Sequence, residues 1–240
     1  MIRTAELEQL VEPLRAPVGR YAERLQKLGG EKVLGLTIFG SAAAGNFDPA
    51  EDTVRSTIVL DNVDLEFLRL LAVDGVRLGK ERIAAPLVMT PGYLAASRDT
   101  FSLELLEIQQ QHVTVLGEDH FALLVFEQAH IRLQCERELK SILIGLHQGL
   151  LASTGSDRLL VTLSSQAIEN LVRVLRGLLW LSGERDHRPA VDVVQQAEKI
   201  VNRPLPGIHA ALNSADTAGW QKYCALYGDV QALGEFANAF

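Results

Sequence analysis

Cysteine is nearly absent: the chain of 240 residues has two, Cys135 and Cys224. Neither belongs to a CxxC pair or a cluster of metal ligands, so neither a disulfide framework nor a structural zinc site organises the fold. A reducing, cytoplasmic setting is the simplest expectation. Long apolar runs are missing too. The most apolar helical stretch, "NLVRVLRGLLWLSG", is interrupted by Arg173 and Arg176 and is too short to span a bilayer. The N-terminal "MIRTAELEQLVEPL" lacks the apolar core of a signal peptide. The six histidines are scattered, with no HExxH and no His-Cys cluster. No GxSxG elbow accompanies the serines. Positive charge is in deficit: 23 Lys and Arg stand against 30 Asp and Glu, a net charge of -7. That balance opposes bulk nucleic-acid binding, which needs clustered cations, but permits a local basic pocket.

What is present suits a soluble globular chain. Hydrophobic residues make up 48% and charged residues 22%. A chain this long can bury well over half of its unfolded surface without staples. Neither an internal repeat nor a low-complexity tract is visible.

The order of elements changes along the chain. Leu14, Val18, Tyr21, Leu25 and Leu28 recur at helical spacing, with Thr4 capping a short first turn and Pro13 and Pro17 as punctuation. Gly29-Gly30 stops the helix. "KVLGLTIF" and "VRSTIVL" read as strands. "DNVDLEFLRLLAVDGVRLG" reads as one helix capped by Asp61 or Asp64, with Leu65, Leu68 and Leu71 or Ala72 inward. "APLVMT" is a third strand, and Thr90-Pro91 starts another helix. "HVTVLG" offers a further short strand. Strands alternating with helices over 33–98 imply an α/β layer.

From about Glu127 only helices are predicted. Ile131, Cys135, Leu139, Ile142, Leu146 and Leu150 form one stripe. Leu160, Leu163, Ala167, Leu171, Val174, Leu178 and Leu181 form another, capped at Ser156-Asp157 and ended by Gly183. Further helices are expected near 189–202 and 215–238, separated by "NRPLPG". The second half is therefore an antiparallel bundle. The boundary falls near Gly117 to Phe121, giving domains 1–118 and 119–240.

"TIFGSAAAGNFDP" and the elements after it resemble the nucleotidyltransferase superfamily, the group of DNA polymerase beta and the aminoglycoside nucleotidyltransferases. "PLVMTPGYLAASRDTFSLELLEIQQQHVTVLGED" followed by "RLQCERELK" resembles a bacterial subgroup with a helical C-terminal half. The resemblance implies an α/β (α+β) N-terminal domain with a small mixed sheet and an all-α C-terminal bundle. It implies that Gly40-Ser41 cradles a triphosphate, glycine allowing close approach and the serine hydroxyl donating to phosphate oxygens. A tight turn with no ligand is the alternative for the same residues.

In that family two carboxylates at i and i+2 on the second strand, with a third from a later strand, hold two Mg²⁺ about 3.5–4 Å apart. Here the paired positions are Asp52 and Val54, or Thr53 and Arg55, and the second register aligns the rest of the strand better. Neither supplies two acids, and "APLVMT" supplies none. Asp48 and Asp52 are weak metal candidates; Asp48 suits a turn before Pro49, and Asp61 or Asp64 a helix cap. Arg55 could bind phosphate oxygens directly through its guanidinium, or pair on the surface with Asp52 or Asp48.

Other groups have plain readings. "EDH" at 118–120 and "RDH" at 185–187 are solvated loops. Arg203 and His209 have the spacing of an Arg–His pair in some helical ribonucleases, but Pro204 and Pro206 interrupt it. Glu136, Arg137 and Lys140 form a charged helix face, available for substrate contacts. Trp180 and Trp220 are core or interface anchors.

The expected function is that of a catalytically degenerate nucleotidyltransferase-fold protein, binding a nucleotide or other anion at Gly40, Ser41 and Arg55 or serving as an interaction protein. It needs no cofactor, and a homodimer is possible. The alternative is an active Mg²⁺-dependent enzyme that transfers a nucleoside monophosphate to a small molecule or protein.

Overall fold

The structure, a computed structural model, describes residues 1–185, 188–213 and 219–240. They divide into two compact units, Met1–Arg98 with Glu107–Val125, and Asp99–Leu106 with Phe126–Phe240.

The first unit opens with α1 (Thr4–Leu7) and α2 (Glu12–Gly29), and a 3₁₀ turn leads into β1 (Val33–Phe39). Then come α3 (Ser41–Ala44), β2 (Arg55–Leu60), α4 (Leu65–Ala72), α5 (Gly75–Lys80), β3 (Leu87–Met89), α6 (Pro91–Ala96) and, after α7 (Ser102–Gln110), of which the residues through Leu106 belong to the second unit, β4 (His112–Gly117). The strands form one sheet in the order β3-β2-β1-β4. β1 pairs antiparallel with β2 and β4, whereas β2 and β3 run parallel. The sheet is therefore mixed, as the fold class predicts.

Strand alternation assigns the two faces. Leu36 and Ile38 of β1, Ile58 and Leu60 of β2, and Val113 and Val115 of β4 share one core with Leu14, Val18, Tyr21 and Leu25 of α2. The Tyr21 phenol lies in that core, where burial pushes its pKa up to about 12 against the opposing Ser56 hydroxyl. Thr37 and Thr114 lie on the other face, their hydroxyls 2.8 Å apart. Phe39, Arg55, Thr57 and His112 share that face by the same alternation. The β4 strand ends at Gly117, whose φ is +69°. A Cβ there would meet the Leu34 carbonyl oxygen at 1.9 Å.

Several expectations change in detail. Thr4 is the first residue of α1, with Arg3 at the cap position. Pro17 lies inside α2, which continues because Val18, Tyr21, Ala22 and Leu25 are buried along it. The single helix expected over 61–79 is two, because Asp74 sits between them bound to Arg24 and Arg77. Asp64, rather than Asp61, caps α4. Phe67 and Leu71 are its buried residues, while Leu65 is exposed. Thr90 caps α6 with Pro91 in the first turn, as predicted.

The second unit holds α8 (Gln128–Ala152), α9 (Asp157–Leu181), α10 (Ala190–Val201), α11 (Pro206–Leu212) and α12 (Gly219–Asn238). The stripe from Ile131 to Leu146 is buried in α8. Leu160, Leu171, Val174 and Leu178 are buried in α9. Ser156 takes the α9 cap position without a side-chain hydrogen bond. The final helix was expected from 215; residues 215–218 lie outside the described residues. Trp180 is buried, whereas Trp220 is half exposed and stacks on Tyr223. No helix among the described residues is long and apolar enough to cross a membrane.

Candidate functional site

The end of β1 sets the geometry. Gly40 has φ +75°, which a side chain would strain. The chain turns there into α3, with Ala43 and Ala44 N–H groups donating to the Gly40 carbonyl. Gln111 braces this turn twice: its side-chain amide donates to the Ala43 carbonyl at 2.7 Å, and its carbonyl accepts from Gly40 N–H. Protein groups thus hold the Gly-Ser turn on both sides.

Arg55 begins β2 directly opposite Phe39. Its guanidinium carbon lies 4.7 Å from the centre of the Phe39 ring. A Cβ on Gly40 would sit 3.9 Å from Arg55 Nη1. The glycine thus leaves open the space between the turn and the guanidinium. Val54 is buried in the opposite core, so of the two registers weighed above only the one containing Arg55 turns its strand residue toward this face. Thr57, two residues on, is fully buried, and its hydroxyl has no hydrogen-bond partner among the described residues.

Arg55 pairs with a residue that the sequence reading passed over. Its Nη2 lies 3.5 Å from Oε2 of Glu107 on α7. The expected partners are engaged elsewhere: Asp52 accepts from Asp48 N–H at 2.9 Å, and Asp48 accepts from Ala50 N–H at 2.8 Å. These aspartates shape the loop before β2, which corrects the expectation of a surface pair with Arg55. A second pair also emerges. His112 on β4 faces the Gln109 carbonyl with Nδ1 at 3.1 Å and Asp119 with Nε2 at 3.0 Å. Burial alone would raise the Asp119 pKa, but N–H groups of Phe121 and Ala122 and the His112 ring hold it below the usual carboxylate value. "EDH" is therefore an ordered corner, not a solvated loop. Alternation along β1 and β2 could have placed Phe39 and Thr57 beside Arg55; nothing in the sequence pointed to Glu107 or to the His112–Asp119 pair.

Two divalent cations do not fit this donor set. Among the described residues no group of three or more His, Cys, Asp or Glu could hold a metal. Glu107 is already paired with a guanidinium, and a cation beside that guanidinium would be repelled.

The remaining candidates take structural positions. Glu136 bridges Arg132 and Lys140 along the α8 surface, and its pKa is lowered chiefly by the Lys140 ammonium. Arg203 is exposed ahead of α11, while His209 lies within it, 3.2 Å from Glu198. Cys135 is buried, which pushes its thiol up to about 12. His187 lies outside the described residues.

The class this architecture defines is the nucleotidyltransferase fold. In particular, the chain is similar to the spectinomycin adenyltransferase AAD(9) from Enterococcus faecialis, crystallised with ATP and spectinomycin. The TM-score is 0.58 at 10% sequence identity, over 93% of this chain and 98% of that chain. The likeness is one of fold. The sequence itself matches no protein-family model and no curated protein.

Proposed function

We propose that this chain binds a nucleotide or another phosphorylated anion without a metal and without turning it over. Gly40, Ser41 and Arg55 are the residues assigned to the phosphates. The carrying observation is Arg55, its side chain 41% exposed, at the head of β2 beside the glycine turn. A metal-dependent transferase of this fold needs carboxylates on that strand, and "RSTIVL" has none.

Each residue has a defined part. Gly40 keeps the approach free of a side chain. Ser41 donates its hydroxyl, and Arg55 offers a planar fork that matches two phosphate oxygens at once. Positive charge comes from the protein rather than from Mg²⁺. The related fold crystallised with ATP supports a nucleotide as the ligand. In this proposal the site lies within a domain of residues 1–118, and residues 119–240 form a separate helical domain.

Calorimetry with ATP in EDTA tests the reading. Saturable binding is expected, and Arg55→Ala weakens it by at least about tenfold, or about 1.4 kcal/mol. Absence of binding removes the proposal. Release of pyrophosphate in the presence of Mg²⁺ replaces it with an active Mg²⁺-dependent nucleotidyltransferase.

A further inference from the structure

We infer that Glu107 is a built-in competitor for the anion at Arg55, a residue that sets how tightly the site holds phosphate. This rests on the anion reading of the same site. Two observations carry it. The Glu107 carboxylate is 3.5 Å from the guanidinium, beyond the about 2.7–2.9 Å of a short charge-assisted hydrogen bond. The two partners are also unequally fixed. The Glu107 side chain is 11% exposed on α7, between buried Leu106 and Ile108, whereas Arg55 is 41% exposed on a long flexible stem. The carboxylate is the anchored member and the guanidinium the adjustable one.

The consequence is a competition between two anions for one fork. A phosphoryl group can reach Arg55 through two oxygens at shorter distance. Doing so draws the guanidinium off a Glu107 side chain that is only 11% exposed and sets negative charge beside it, and that repulsion opposes binding. The same carboxylate lies beside Arg55 while its guanidinium stacks on the Phe39 ring. Glu107 therefore lowers affinity while keeping the guanidinium aimed.

The test compares wild type, Glu107→Gln, Glu107→Asp, Arg55→Ala and the Arg55→Ala/Glu107→Gln pair. Each is titrated in EDTA with ATP and, separately, with inorganic tripolyphosphate. Glutamine keeps the shape and removes the charge, so E107Q binds both probes about tenfold more tightly than wild type. Aspartate draws the carboxylate back by one methylene and gives a smaller gain, which covers the case of a poorly folded E107Q. Without Arg55 there is nothing to compete for, so the double variant binds no more tightly than Arg55→Ala. Unchanged or weaker binding by E107Q and E107D overturns the inference while leaving the anion reading intact. A gain for ATP but not for tripolyphosphate overturns it too, because the competition acts on phosphate alone. If no variant binds either probe, the anion reading itself falls, and the inference with it.

Discussion

Two clusters of charged side chains differ in what they are bound to. In the second unit, Glu198 accepts from Leu205 N–H at 2.7 Å and pairs with His209, and Asp229 accepts from Ile208 N–H at 3.0 Å. Burial raises the Asp229 pKa, opposed by the Ile208 and Gly207 N–H groups. These acids terminate backbone donors at the start of α11. In the first unit, Arg55 touches only side chains in the bonds described: Glu107 by charge and Phe39 by its ring face. Acids committed to backbone amides are structural, because moving them would leave buried N–H groups unsatisfied. A guanidinium held by one carboxylate and a ring can change partners. The same contrast separates the Arg203–His209 spacing, which ends in a structural knot, from Arg55, which does not.

The largest expected effect tests the structural cluster. A Cβ on Gly207 would meet Leu226 N at 2.0 Å, so α11 and α12 must part to admit it. Gly207→Ala should destabilise the chain by about 3 kcal/mol or more, read by urea unfolding. Near-wild-type stability would show that the helices can separate cheaply. Next comes Asp229→Ala, which strands N–H groups at the start of α11 and should cost about 2 kcal/mol.

Asp119 gives a smaller, pH-dependent effect. Its folded pKa lies below the ordinary 3.8, so its stabilisation is present above that value and is lost as pH falls through the lower folded pKa. Asp119→Asn should lower stability by about 1 kcal/mol at neutral pH, with the gap closing in acid. A gap that persists in strong acid contradicts the charge argument. The smallest stability effect belongs to Arg55→Ala, below about 1 kcal/mol: Arg55 is 41% exposed and its guanidinium lies 3.5 Å from Glu107, so the pair contributes little, although its loss leaves that carboxylate without the guanidinium. Marked destabilisation there would erase the contrast and make Arg55 one more structural charge.

The sheet was legible because β1, β2 and β4 are short apolar or β-branched runs bounded by Gly, Asp and charge. The face occupied by Arg55 followed from strand alternation once the register was fixed. α7 was not legible: Leu103, Leu105, Leu106 and Ile108 are all buried, so no one-sided stripe marks the helix. That concealed Glu107 as well. The break between α4 and α5 was equally hidden, since Asp74 is held there by Arg24, a residue distant in sequence. Loop aspartates could be counted in advance, but their bonds to Asp48 and Ala50 amides depend on the folded turn. Residue types and strand faces were readable; long-range pairing was not.

The central claim is that protein charge, rather than a divalent ion, receives phosphate beside Gly40 and Ser41. Its most direct measurement is calorimetric titration of the unmodified chain with ATP, first in EDTA and then in excess Mg²⁺, while free pyrophosphate is monitored. The account predicts saturable heat in EDTA, no tightening on adding Mg²⁺, and no pyrophosphate. Heat that appears only with Mg²⁺, or pyrophosphate that accumulates with time, would contradict it.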